Sequence, residues 1–183
     1  MSPRRDIPWL TLAVFAVTAL VTLAMWPWPG VGTALERSPA MLHGEWWRFG
    51  TSWLVLTDGW VQIVGNSVAL LIFGTIVERR IGRGWWIAAY IVAGLAGEVA
   101  GIFWQPWGGG NSVAICGLIG LFAISQLDLK RLPLPARFGA AALCALLALW
   151  LAFRSDIHGI ALATGLLVAA AYFLLRHQRR AVP

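Results

Sequence analysis

Gly110-Asn111-Ser112-Val113-Ala114-Ile115-Cys116-Gly117-Leu118-Ile119-Gly120 opens an apolar run that carries no charge until Asp128. A helix over 112–127 covers about 24 Å at about 1.5 Å per residue, close to a bilayer core of roughly 30 Å. Gly117 and Gly120 strip side chains from part of its surface, so another helix can come close there. Ser112 stands at its mouth. A serine at a helix start is ordinarily an N-cap; it becomes a nucleophile only where a base stands beside it. The meaning of this stretch depends on what the rest of the chain brings to Ser112.

The surrounding composition gives the class of helix. Of 183 residues, 59% are hydrophobic and 12% charged, with mean hydropathy +0.73, whereas soluble chains carry roughly a quarter charged residues. Six membrane-crossing stretches are predicted, at 8–25, 60–77, 85–104, 112–127, 134–153 and 157–175, with one long outer loop at 28–59. The expected fold is an all-α membrane bundle of six helices, a single domain over residues 1–183. The first stretch follows Arg4-Arg5, but its apolar run outlasts the core of a signal peptide and no convincing cleavage site follows, so it is expected to be retained. Cys116 and Cys144 fall inside stretches and read as small apolar packing residues; no metal or cofactor is implied.

The net charge of +6 orients the chain instead of binding a polyanion. Arg4, Arg5, Arg79, Arg80, Arg83, Lys130, Arg131, Arg137, Arg176, Arg179 and Arg180 share one side of an alternating six-helix path, leaving Arg37, Arg48 and Arg154 for the other. This asymmetry predicts both termini in the cytoplasm, with the lipid bilayer and not nucleic acid as partner. Trp28, Trp46, Trp47 and Trp53 suggest that loop 28–59 lies in the membrane interface.

In that topology Ser112 and His158 begin the fourth and sixth stretches at the same outer surface, and Asn66 lies about 9 Å below it on the second. Gly117 and Gly120, with Ala161 and Gly165, predict a close contact between stretches four and six that brings Ser112 to His158. Neutral imidazole is suited to take a serine proton near pH 7. The Asn66 amide and the Ser112 backbone N–H can stabilise the oxyanion that then develops on an attacked carbonyl. Alone, each residue has an ordinary role: cap, interfacial packing, interhelical hydrogen bond. Together at one level they point to a hydrolase.

The motifs resemble those of the rhomboid family of intramembrane serine proteases over roughly residues 43–166. Glu45-Trp46-Trp47-Arg48 is similar to the family's E-x-W-R signature. Asn66, Phe73-Gly74 and Val77-Glu78-Arg79-Arg80-Ile81-Gly82 resemble its second helix, Gly110-Asn111-Ser112 its G-x-S motif, and His158 with Gly165 its histidine helix. The resemblance implies a Ser112–His158 dyad in a water-filled cavity open to the outside. It implies Asn66 and Gln62 at the oxyanion, transmembrane proteins as substrates, and an expected place in a bacterial inner membrane. Val113, Gln62 and Cys116 depart from the family's usual glycine, histidine and aromatic residue. A β-branched Val113 is expected to crowd the approach to Ser112. The competing readings are a silent rhomboid-like protein that binds transmembrane helices, and a small channel or transporter. The second lacks paired intramembrane charges along a path.

Seven more residues carry expectations. Asp156 lies two residues before His158, a spacing that does not face it on a helix, and is expected to cap the sixth stretch. Glu98 lies about 9 Å below the outer surface and is either functional or a hydrogen-bonded packing residue. Glu45 and Arg48 are expected to pin the outer loop, and Glu78 with Arg79 and Arg80 to cap the inner end of stretch two.

Overall fold

The computed structural model describes residues 7–129 and 133–181, with side chains through residue 178. Arg4, Arg5, Lys130 and Arg131, four of the basic residues that predict the topology, lie outside the described residues. Six apolar helices match the six predicted stretches: α1 Trp9–Ala24, α2 Gly59–Arg80, α3 Arg83–Trp104, α4 Ser112–Ser125, α5 Leu134–Phe153 and α6 Ile157–Ala181. The largest departure is α6, which runs past the predicted end at 175. Four helices are long and apolar enough to cross a membrane: α2, α3, α5 and the Ile157–Gln178 part of α6. α1 and α4 are shorter, α4 being extended by a 3-10 turn to Asp128. The described residues form no strand; Arg37 and Gly108 make one isolated antiparallel bridge.

α4 occupies the centre, packed most heavily on α6 and α3. Glycine makes this possible. A methyl group at Gly120 would sit 2.6 Å from the backbone carbon of Gly165, and one at Gly165 would sit 2.7 Å from the Cα of Gly117. Gly117 also lies against the Ala89 carbonyl of α3. The predicted contact between the fourth and sixth stretches is therefore present, backbone on backbone. α5 turns into α6 through Arg154, Ser155 and Asp156, with Ser155 in the left-handed region at φ 54°. It touches α6 where Gly159 lies against Ala148 and Ala152.

Polar side chains tie the two ends of the bundle. At one end Glu78 accepts from the backbone N–H of Leu10 at 3.1 Å and of Thr11 at 2.8 Å, and pairs with Arg83 at 3.1 Å. Pro8, the residue before α1, caps nothing with its side chain. Glu78 thus supplies the missing acceptor from another helix, where a carboxylate also suits the helix dipole. This corrects the expectation that Glu78 caps the end of its own helix. At the other end Arg48 behaves as expected: it pairs with Glu45 at 2.5 Å and donates to the carbonyls of Thr33 and Glu36 at 2.8 and 2.7 Å. Trp28, Trp46 and Trp47 are exposed, but Trp53 is buried, its ring lying on Gly94 and its Nε1 donating to Glu98 at 3.2 Å. Trp53 is thus a core residue and not part of the interfacial set.

Candidate active site

Ser112 is the first residue of α4, and Gly110 and Asn111 aim it. Gly110 holds φ 141°, open to glycine but strained for other residues. Its N–H donates to the Ser52 carbonyl at 2.8 Å. The preceding loop is held along its length. Arg37 N–H donates to Gly108 O at 2.8 Å, and Gly109 N–H donates to Thr57 Oγ1 at 3.1 Å. Arg37 Nε donates to the Gln105 carbonyl at 2.7 Å, while its Nη1 pairs with Glu98 at 3.0 Å; both side chains are buried. Glu98, the intramembrane carboxyl flagged by sequence, is therefore the anchor of a buried ion pair that clasps the loop before Ser112.

His158 is the second residue of α6. Its Nε2 lies 2.8 Å from Ser112 Oγ, a hydrogen-bonded pair 46 residues apart in sequence. Both residues line a cavity of about 360 Å³ walled by Arg37, Asp58, Gln62, Trp107 and the glycines 108–110. On its other side the imidazole meets Asp156: Oδ1 is 2.6 Å from Nδ1 and also accepts the backbone N–H of His158 at 2.9 Å. Asp156 thus caps α6, as expected, and also touches the ring, which the i, i+2 argument did not anticipate. That spacing rule holds inside a helix, whereas Asp156 precedes the first helical residue. The signal was present in the sequence as an Asx cap two residues before the histidine.

The two amides differ. Asn66 Nδ2 is buried without a hydrogen-bond partner among the described residues. It faces the turn before Ser112, 3.6 Å from where a Cβ on Gly110 would stand. A buried free donor is costly unless something fills it. Gln62 lines the cavity, but its Nε2 donates to Asp58 Oδ2 at 3.0 Å and to the Gly109 carbonyl at 2.8 Å, so both amide hydrogens are occupied. Val113 lines the same cavity beside Ser112. Its side chain is 1% exposed and packs on α3, where a methyl at Gly97 would meet its Cβ at 3.0 Å. Cys116 and Cys144 are free thiols, half-buried on α4 and α5.

Known proteins are similar to this chain over the region that holds the site. The Rhomboid domain matches residues 43–179. The chain is 32% identical over 103 residues to the Rhomboid protease GluP of Bacillus subtilis (strain 168), covering 56% of this chain and 20% of the relative. It is 30% identical over 88 residues to the Putative rhomboid protease YdcA of the same organism, covering 46% of this chain and 44% of the relative. The chain thus spans less than half the length of each of these curated relatives. The match runs from the Glu45–Arg48 loop through the serine and histidine helices, and on that ground the chain belongs to the rhomboid family.

Proposed function

We propose that this chain is an intramembrane serine endopeptidase that cleaves transmembrane segments of other membrane proteins, with Ser112 as nucleophile and His158 as base. The observation that carries the reading is the 2.8 Å approach of His158 Nε2 to Ser112 Oγ in a polar hollow at the mouths of two apolar helices. Neutral His158 takes the Ser112 proton as Oγ attacks the peptide carbonyl. The oxyanion is met by the Ser112 backbone N–H at the α4 N-terminus and by the unpartnered Asn66 amide. Protonated His158 then gives its proton to the leaving amine. Water entering the cavity, activated by the same imidazole, resolves the acyl-enzyme and restores the serine.

Gln62 acts differently in this reading. With its amide hydrogens on Asp58 and Gly109, it holds the loop that shapes the cavity, and it reaches an oxyanion only by releasing one of them. The six apolar helices are the six membrane spans, both termini lie in the cytoplasm, and the cavity opens on the far side. The asymmetry of basic residues supports that orientation.

Co-expression with a membrane substrate tests the assignment. Ser112→Ala and His158→Ala should each abolish cleavage with expression and folding intact, and the double variant should be no worse than either single one. Asn66→Ala should slow turnover by about 10²–10³-fold. Cleavage that persists in Ser112→Ala overturns the assignment, and a folded wild type that binds transmembrane helices without cutting any favours a silent binder.

A further inference from the structure

One carboxylate oxygen at the start of α6 does two things. Asp156 Oδ1 accepts the His158 backbone N–H at 2.9 Å and lies 2.6 Å from Nδ1 of the same residue's ring. We propose that Asp156 is a positioning residue for His158, so that the site works as an Asp156–His158–Ser112 triad and not as a Ser–His pair alone; this rests on the protease reading above.

A neutral ring carries one proton, and the nitrogen facing Ser112 can take the serine proton only if its own proton sits on the other nitrogen. Nothing intrinsic to the ring enforces that choice. A carboxylate beside Nδ1 does: it accepts and cannot donate, so the proton resides on Nδ1 and the Nε2 lone pair is left for the Ser112 hydroxyl at 2.8 Å. When Nε2 takes the serine proton, the ring becomes a cation with Asp156 against it, and the proton stays on the imidazole.

The carboxylate is itself held. Its bond to the His158 backbone N–H is the N-cap bond of α6, fixed by the helix start. Cap, carboxylate and ring therefore form one short rigid unit within three residues. The His158 and Asp156 side chains are 34% and 32% exposed, so water screens part of the charge. Fixing the tautomer and the ring orientation is then the main effect, with charge stabilisation second.

The test separates capping from positioning with residues that cap equally well. Asparagine and serine both serve at an N-cap about as well as aspartate. Asp156→Asn keeps the oxygen and loses the charge, while Asp156→Ser is too short to reach the ring. If Asp156 only caps, both variants of the full chain keep wild-type melting temperature and wild-type turnover. If it positions His158, both keep the melting temperature, while kcat falls by about 10-fold for Asn and about 10²-fold for Ser with KM unchanged. Nitrogen-15 NMR of the labelled histidine gives an independent reading. The wild-type ring should rest with its proton on Nδ1, and Asp156→Ser should show mixed tautomers. Wild-type turnover in both variants, or a wild-type ring protonated on Nε2, overturns the proposal. A wild type that neither cleaves nor labels at Ser112 overturns the protease reading first, and this one with it.

Discussion

α4 and α5 are neighbours in sequence, both apolar and both flanked by polar turns, yet their surroundings are opposite. Along α4, Val113, Ala114, Ile115, Gly117, Leu118, Gly120, Leu121 and Ala123 are buried. Along α5 only Ala148 is buried, while Leu143, Leu146, Leu149 and Phe153 are exposed. Apolarity does not separate the two. Lipid is as apolar as leucine, so helices in a bilayer associate where backbones can approach closely. α4 offers Gly117 and Gly120 to its neighbours, whereas α5 meets α6 at a single glycine supplied by α6, Gly159. The backbone-to-backbone contact of α4 with α6 fixes the distance between the residues at their mouths, Ser112 and His158.

The sharpest break of this contrast comes at the ion pair that anchors the buried side. Arg37→Met leaves Glu98 in the core without its partner and should cost about 3–5 kcal/mol. Adding Glu98→Gln should recover part of the loss, read from thermal unfolding in detergent. A smaller effect is expected at the helix contact. Gly117→Val drives a branched side chain into the Ala89 carbonyl and should cost about 1–3 kcal/mol. It should also slow any Ser112 chemistry, because it moves α4 away from α3. The smallest effect belongs to α5: Leu146→Ala, at a side chain 65% exposed, should change stability by less than about 0.5 kcal/mol. A loss at Leu146 as large as at Gly117 would remove the distinction between the two helices.

Much of this was legible in the sequence, for identifiable reasons. Hydropathy located the six helices within a few residues except at the end of α6, because a run of apolar side chains constrains a segment on its own. The small residues foretold which helices touch, and the polar residues at two mouths foretold the approach of His158 to Ser112. What escaped depends on three-dimensional direction. Glu98 stood out as a membrane carboxyl, but its partner Arg37 lies 61 residues away in the outer loop. Glu78 looked like a local cap, yet its carboxylate reaches α1 across 67 residues to Thr11. Val113 lines the cavity beside the nucleophile, but its packing on Gly97 of α3 depends on a helical phase that its place in the sequence does not give. The contact of Asp156 with the ring is hidden by a spacing rule for helix interiors that does not govern an N-cap.

A serine-directed fluorophosphonate tests most directly whether His158 activates Ser112. The detergent-solubilised protein is treated with the probe, and the labelled peptide is read by mass spectrometry. A single adduct on Ser112 is expected, lost in His158→Ala while that variant keeps the wild-type melting temperature. An adduct at another serine, or labelling of Ser112 that proceeds unchanged without His158, would contradict it.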